Sequence, residues 1–142
     1  MKTATDLSSA DYRALSDFRY QIRRFLHFSE AAAKAEGLEP QQHQMLLAIR
    51  TLGESESSTI GKLAECLLVR HHSAVGMVDR LVERGLVDRV RDTVDRRQVQ
   101  VRLTTEGEDR LKRLSKAHRE ELRYFGPLLV TALGSLLQLV PE

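Results

Sequence analysis

The sequence of 142 residues lacks tryptophan, contains one cysteine and three prolines, and is only 5% aromatic. Proteins that bind single-stranded nucleic acid by stacking its bases need aromatic side chains, so that class is not expected. The single cysteine, Cys66, excludes an internal disulfide bond and is typical of a reducing compartment. The polar N-terminus lacks the pattern of a signal peptide, and the longest apolar stretch, 128–140, is too short to span a bilayer. These absences predict a cytoplasmic protein.

The residue patterns of an enzyme are also missing from the sequence. It contains no evident nucleophile with a base and an orienting group, no glycine-rich phosphate loop and no pair of catalytic carboxylates. The sequence therefore predicts no enzymatic activity and no cofactor.

The net charge of +2 says little by itself, but the distribution of the charges is informative. The surplus falls within residues 55–104, which hold nine lysines and arginines against seven acidic residues. Nucleic-acid binding requires local positive surface rather than a basic total. Five arginines are grouped within fourteen residues of this stretch: Arg89, Arg91, Arg96, Arg97 and Arg102.

Apolar residues recur at helical spacing through the first third of the chain. They predict a long helix over residues 11–36 that ends at Gly37, and a second helix over 41–52 with Pro40 in its first turn. Gly53 is predicted to end the second helix, and residues 54–58 to form a polar loop. Residues 1–10 show no periodicity and are interpreted as a frayed tail.

Two short helices and a hairpin are predicted next. The pattern indicates a helix over 60–67, capped by Ser58 or Thr59, and a helix over 71–83. Alternating apolar residues then predict strands over 86–91 and 98–103, joined by a polar loop of six residues. The fold class is therefore mainly α with a small β-wing, a winged helix-turn-helix. Four residues of the 71–83 helix are expected to be buried: Ala74, Met77, Val78 and Leu81.

In a helix-turn-helix, the N-terminal residues of the second helix lie against base edges in the major groove. We expect Arg70 to contact phosphate, and Val75 to contact a thymine methyl group. Gly76 costs the helix stability relative to alanine and is expected to allow close approach of the backbone to DNA. Removing the core positions leaves these candidates at that end of the helix: Arg70, His71, His72, Ser73, Val75 and Gly76.

The last third of the chain is predicted to be helical. A helix starts at Thr104–Gly107 and has Leu111, Leu114 and Leu122 on its apolar face. Gly126-Pro127 is expected to break or kink it, which leaves residues 128–140 as a separate apolar helix. We interpret residues 1–142 as one domain, with dimerisation helices over 11–36 and 105–140 and a DNA-binding lobe over 40–104.

The wing carries a recognisable signature. Asp95-Arg96-Arg97, then five residues, then Leu103-Thr104 and finally Gly107 resemble the D-x-R-x5-L-T-x-x-G pattern of the MarR family of bacterial regulators. The segments 62–64, 78–81 and 84–87 are similar to the same family. The resemblance covers roughly residues 11–140.

The resemblance implies a homodimer that binds a pseudo-palindromic duplex site, usually as a repressor released by a small phenolic or other aromatic ligand. It implies that Arg97 enters the minor groove with Arg96 beside it, and that Asp79 braces the wing arginine. Asp95 is expected to shape the turn. Thr59 and Gln98 complete the set of expected DNA contacts. Effector-binding candidates lie where the family binds its ligands: Arg23, Arg24, His27 and His43.

Two departures from the family concern base recognition. Arg70 replaces the serine or threonine that commonly opens the recognition helix, and Val75-Gly76 replaces a polar pair. The DNA sequence that is bound therefore does not follow from the resemblance. The amino-acid sequence also leaves open whether binding represses or activates.

Cys66 has more than one interpretation. Its neighbours Leu63, Leu67 and Leu68 favour a small buried apolar residue. The alternatives are a redox-sensing thiol or, with His71 and His72, a metal site, although these three residues lack a dependable further ligand and no metal is expected. Another alternative for the whole protein is a winged helix that binds proteins and not DNA.

Overall fold

We describe the fold from a computed structural model, which describes residues 6–55 and 57–138. The described residues form five helices and a two-stranded antiparallel sheet. In chain order these are α1 (Ser9–Ala35), α2 (Pro40–Ser55), α3 (Ile60–Leu67), α4 (His71–Glu83), β1 (Val87–Arg91), β2 (Val99–Leu103) and α5 (Thr105–Leu136). They group into two compact units. Unit 1 contains residues up to Ala31 and from Ala117 onward, and unit 2 runs from Ala32 to Lys116.

Helix α1 begins earlier than the apolar periodicity predicted. The Ser8 hydroxyl accepts from the Asp11 N–H at 3.2 Å, and the Asp11 carboxylate accepts from the Ser8 N–H at 2.8 Å. This reciprocal capping starts the helix at Ser9, so the frayed tail predicted over 1–10 is wrong at Ser9 and Ala10, and its residues 1–5 lie outside the described residues. The helix ends as predicted, because Gly37 has a φ of +73° and its N–H donates to the Lys34 carbonyl at 2.9 Å.

Helix α2 begins at Pro40 but continues past Gly53 to Ser55, so the predicted stop at Gly53 is wrong. A glycine lowers helix stability without removing a hydrogen-bonding group, and it ends a helix only where the chain needs a left-handed residue. The Arg50 side chain bonds to the Glu54 carboxylate one turn later, and this ion pair supports the additional turn.

The helix-turn-helix agrees with the prediction. Helix α3 spans Ile60–Leu67, with Thr59 as its N-cap, and α4 spans His71–Glu83. The turn between them contains Leu68, whose φ of 56° closes the helix in the left-handed region. The residues of α4 that were expected to be buried are buried: Ala74, Met77, Val78 and Leu81.

The wing consists of β1 and β2, paired so that Val87 lies opposite Leu103 and Arg91 lies opposite Val99. The predicted alternation holds at Val87 and Val101, which are buried, but Val90 is 41% exposed. Its cross-strand partner Gln100 is buried instead, and the Gln100 amide donates to the Asp92 carboxylate at 3.4 Å.

Helix α5 is packed against the start of the wing through a glycine. A Cβ atom at Gly107 would lie 2.0 Å from the Leu86 carbonyl oxygen, so no other residue fits without displacing backbone. The Thr104 hydroxyl accepts from the Gly107 N–H at 3.1 Å and caps the helix, which starts within the predicted segment Thr104–Gly107. The glycine and threonine of the wing signature thus join the hairpin to α5.

The sequence predicted a break or a kink at Gly126-Pro127, and the break is wrong, since α5 runs through Pro127 to Leu136. A proline removes one backbone donor, but the hydrogen bonds of later turns do not depend on that donor. The leucine- and alanine-containing segment after Pro127 therefore resumes helical pairing. Residues 139 and 140, the end of the predicted separate helix, lie outside the described residues.

The core of unit 2 is formed by apolar side chains of α2, α3, α4 and the wing, together with the start of α5. Leu111 and Leu114 of α5 are buried there, as predicted, whereas Leu122 in unit 1 is 42% exposed. Within unit 1, the side chain of His118 is buried and lies 2.8 Å from the Ser29 hydroxyl. None of the helices described by the structure has the length and hydrophobicity needed to cross a membrane.

Candidate nucleic-acid interface

The N-terminal end of α4 presents the residues that the sequence predicted for the major groove. His71 and His72 are exposed, and Ser73, Val75 and Gly76 are partly buried at the edge of the same helix. The buried residues Ala74 and Met77 fix the opposite face of the helix in the core. The core contacts therefore determine which side of α4 faces outward.

Arg70 is the N-cap residue of α4 and has extended backbone angles. Its side chain makes no capping hydrogen bond, which leaves the first N–H groups of α4 without a side-chain acceptor from the N-cap residue. A helix N-terminus with free N–H groups and an arginine beside it favours a phosphate oxygen.

Thr59 has a structural role in the described chain. Its hydroxyl accepts from the Lys62 N–H at 3.4 Å and caps α3. A threonine hydroxyl retains a donor proton while accepting, so the capping position still leaves Thr59 able to donate to phosphate.

The wing tip, residues 92–98, is shaped by two aspartates. The Asp92 carboxylate accepts from the Val94 N–H at 2.9 Å, and the Asp95 carboxylate accepts from the Arg97 N–H at 3.1 Å. The Val94 N–H is the main cause of a lowered pKa of the Asp92 carboxyl, to which the Gln100 amide contributes. Each aspartate thus holds the backbone two residues further on, which is the geometry of an Asx turn.

The cationic side chains of the tip are directed away from the core. Arg96, Arg97 and Gln98 are all exposed, and the Arg97 side chain is 95% exposed. Its Nε atom lies 3.6 Å from Asp95 Oδ1, a contact too weak in this exposed setting to hold the guanidinium.

The brace implied for Asp79 has a different partner. The Asp79 carboxylate on α4 pairs with the guanidinium of Arg89 on β1, and not with Arg97 as the resemblance implied. The orientation of the Arg89 side chain follows from the alternation of side chains along β1. Val87 is fixed in the core, and the side chain two residues later lies on the same face, toward α4.

The interpretation of Cys66 as a buried apolar residue is wrong, because its side chain is exposed. Leu63 and Ala64 face the core, and a residue two positions after Ala64 is turned about 200° around the helix. Cys66 instead lines an open cleft with Leu47 of α2 and Val69. Among the described residues, no group of three or more His, Cys, Asp and Glu side chains is placed to hold a metal ion.

The effector candidates lie in different surroundings within each unit. In unit 1, Arg23 and His27 are exposed, and the Arg24 guanidinium lies 4.0 Å from the centre of the Phe125 ring. Arg24 and Phe125 line a small cleft between α1 and α5. In unit 2, His43 is buried.

Several contacts that define the interface were not predicted. They are the Asp79–Arg89 pair, the Asp92–Gln100 hydrogen bond and the approach of Gly107 to Leu86. The sequence contains one signal for two of these contacts. Once the buried valines are assigned, the register of the hairpin determines on which face of the sheet Arg89 and Gln100 lie.

The comparisons with known proteins agree on one family. A family model described as the MarR family matches residues 36–98. The HTH-type transcriptional regulator YcgE of Bacillus subtilis is 32% identical over 114 residues, which are 80% of this chain and 72% of YcgE. The transcriptional activatory protein BadR of Rhodopseudomonas palustris is 34% identical over 89 residues, 62% of this chain and 51% of BadR. The chain thus spans only about half the length of BadR.

Solved structures share the fold. RV1404 from Mycobacterium tuberculosis superimposes with a TM-score of 0.71, at 23% identity, covering 96% of this chain and 99% of that protein. A MepR variant from S. aureus, solved bound to an oligodeoxyribonucleotide, gives a TM-score of 0.67 at 16% identity, with 86% and 84% covered. The winged helix-turn-helix, the wing signature and these similarities together show that the chain belongs to the MarR family of DNA-binding transcriptional regulators.

Proposed function

We propose that this protein is a homodimeric regulator that binds a pseudo-palindromic duplex site with α4 in the major groove and the wing tip in the minor groove. The observation that carries the proposal lies within unit 2. One unit fixes a helix with an uncapped, arginine-flanked N-terminus and a hairpin that ends in two exposed arginines.

The chemistry of the two contacts differs. Exposed His71, His72 and Ser73 can donate to base edges or phosphates in the wide major groove. Arg96 and Arg97 suit the narrow minor groove of A·T-rich DNA, whose negative potential attracts guanidinium groups. The Arg97 side chain is 95% exposed, and Arg97 is the proposed minor-groove residue.

Gly76 supports close approach of α4 to DNA. The nearest atom to a Cβ built there is in the Arg80 guanidinium, 4.0 Å away. Packing within the protein therefore leaves room for alanine, which would stabilise the helix by roughly 1 kcal/mol. A glycine at this partly buried position of α4, where packing within the protein does not require one, supports a requirement imposed by bound DNA.

The comparisons support the proposal at the level of the fold. The MepR variant has the same fold and was solved with an oligodeoxyribonucleotide. YcgE is described as an HTH-type transcriptional regulator, and the chain covers 72% of its length.

The dimer is proposed from exposed apolar side chains of unit 1. Both of its helices leave large apolar residues in contact with solvent, and a second copy of the chain would cover them. Two lobes about 34–36 Å apart would then reach successive major grooves on one face of the duplex. The exposed residues are Tyr12, Leu15, Tyr20, Leu26, Leu122, Leu128, Val130 and Leu133.

We propose repression as the regulatory effect, released when a small aromatic ligand favours a lobe spacing that no longer fits the duplex. Support for a ligand site is the Arg24–Phe125 cleft, which combines a guanidinium with an aromatic ring. Its cavity of about 20 Å³ has room for roughly one water molecule, so a ligand would enter by displacing Arg24 from the ring. BadR is described as an activatory protein, which makes the direction of regulation a separate measurement.

The decisive experiment is DNA binding by an Arg96→Ala, Arg97→Ala double variant. The wild-type protein first selects duplexes from a randomised pool, and affinities for the selected duplex are then measured over a range of salt concentrations. The matched control is Lys112→Ala with Lys116→Ala, which removes the same charge from exposed positions on α5.

We expect the wing variant to lose affinity and to show a salt dependence shallower by about 0.9 per lost phosphate contact, and the control to retain both. Wild-type protein that selects no duplex would overturn DNA binding and leave a protein-interaction module. A wing variant that binds like wild type would overturn the proposed role of the wing. Repression is tested separately with a reporter gene that carries the selected duplex, with and without phenols and aromatic carboxylates.

A further inference from the structure

The wing tip carries an exposed apolar side chain. Val94 is 94% exposed, and it is the one apolar residue in the sequence of the tip, residues 92–98. A single exposed valine on a protein surface needs no explanation. Val94 is unusual because of how the tip holds it and which residues share the tip.

The tip holds Val94 by hydrogen bonds made within the wing. The Val94 N–H donates to Asp92, and the same carboxylate accepts from the Gln100 amide of β2. The Asp92 N–H donates to the Gln98 carbonyl at 3.0 Å, and the Gln98 N–H donates to the Asp95 carbonyl at 3.0 Å. The backbone around Val94 is thus ordered before any partner binds, so ordering it costs little on association.

The neighbours of Val94 determine which groove of the DNA the tip approaches. Arg96 and Arg97 follow it within three residues, and both are exposed. Guanidinium groups are drawn to the narrow minor groove, and they bring the whole tip to that groove. Charged groups bind phosphates whatever the sequence, whereas an uncharged side chain on the groove floor responds to the base pair that it meets.

The minor groove offers one strong difference between base pairs. A G·C pair places the guanine N2 amino group, a donor, on the groove floor, where A·T pairs present acceptors only. A valine has no acceptor for that amino group, so covering it with methyl groups leaves a buried donor without a partner.

We propose that Val94 is a specificity-determining residue of the wing, whose methyl groups favour A·T over G·C pairs in the minor groove. The inference rests on the proposed DNA binding through the wing. It adds discrimination against the guanine amino group to the preference for a narrow groove that the wing arginines already give.

The experiment changes the minor groove and leaves the major groove unchanged. A duplex selected by the wild-type protein is synthesised with 2,6-diaminopurine in place of adenine, first at the flanking positions that the wing reaches and then at the central positions. This base adds the N2 amino group of guanine to an A·T pair. Affinities are measured for wild type, for Val94→Ser, whose hydroxyl can accept from the amino group, and for the matched control Val90→Thr.

We expect wild type and Val90→Thr to lose about fivefold to tenfold in affinity for the flank-substituted duplex. Val94→Ser is expected to lose less than twofold, and its salt dependence should equal that of wild type because no charge has changed. Because Val94 is exposed, we expect Val94→Ser to fold as the wild type does, and circular dichroism of the variant verifies this.

Two results overturn the inference, and they are distinguishable from each other. If Val94→Ser suffers the same loss on the flank-substituted duplex as wild type, Val94 does not determine the preference although the protein binds DNA. If the wild-type protein selects no duplex, the proposed function fails and the inference fails with it.

Discussion

The carboxylate of Asp79 on α4 pairs with the guanidinium of Arg89 on β1. This ion pair joins the helix proposed for the major groove to the first strand of the wing. Both side chains are partly exposed, so the pair contributes little to stability and more to the relative position of the two DNA-binding elements.

The pair leads to the first prediction. Asp79→Asn should lower the free energy of unfolding by no more than about 1 kcal/mol, as measured by urea denaturation. A double-mutant cycle with Arg89→Gln should give a coupling energy of about 0.2–1 kcal/mol. A coupling energy of zero would show that the pair does not form in solution. A cycle of Asp79→Asn with Arg97→Gln is the matched control and should show no coupling.

Gly107 should tolerate no larger residue. Gly107→Ala places a methyl group against the Leu86 carbonyl and should cost about 1–3 kcal/mol or more in unfolding free energy. Gly53→Ala is the control, because its Cβ atom meets nothing within 4 Å, and it should stabilise the protein by up to about 1 kcal/mol. Thermal denaturation of both variants tests the difference. Equal melting temperatures would contradict the close approach.

The proposed dimer predicts that a charge on the exposed apolar face of α5 dissociates it. Val130 is 70% exposed in the single chain, and Val130→Asp should shift the protein to a monomer in sedimentation at micromolar concentration. Ser115→Asp adds the same charge at an exposed polar position of the same helix and should leave the dimer intact. A wild-type protein that sediments as a monomer would refute the dimer.

Cys66 should react in the folded protein. An exposed thiol is accessible to an aromatic disulfide reagent, so one equivalent per chain should be modified without denaturant. Cys66→Ser supplies the baseline. Reaction only after unfolding would contradict the exposed position. DNA affinity measured before and after modification then tests the redox-responsive alternative.

Glu36 should make stability depend on pH in the acidic range. The Arg113 side chain donates to the Glu36 carboxylate at 3.0 Å, and this hydrogen bond is the main reason that the pKa of Glu36 is lowered from 4.5. A lowered folded-state pKa contributes stability that is present above the unfolded pKa and lost as pH falls through the folded pKa.

The measurement compares Glu36→Gln with wild type by urea denaturation at several pH values. The variant should be less stable at neutral pH, and the difference should shrink below about pH 4.5. Glu65→Gln, which removes a carboxylate at an exposed position on α3, supplies the baseline for the comparison. A difference for Glu36→Gln that stays constant down to pH 2 would contradict the prediction.

The sequence by itself determined the helix-turn-helix, the wing and the family. Periodicity identified α3 and α4 to the residue, because the buried positions of an amphipathic helix repeat locally. The signature from Asp95 to Gly107 was sufficient to identify the wing and the family. Its turn and cap residues act on neighbours a few positions away, so their effect can also be predicted locally.

Tertiary structure alone decided the contacts between distant positions. The exposure of Cys66 is not among them, because its place about 200° around α3 from Ala64 follows from helical periodicity, and the prediction of a buried residue failed by weighing the leucine neighbours instead. Asp79 meets Arg89 and not Arg97, and Gly107 meets the Leu86 carbonyl, because the packing of α4, the wing and α5 brings these groups together. Local patterns carry the geometry of single elements, whereas the pairing of side chains across elements depends on the packed core between them.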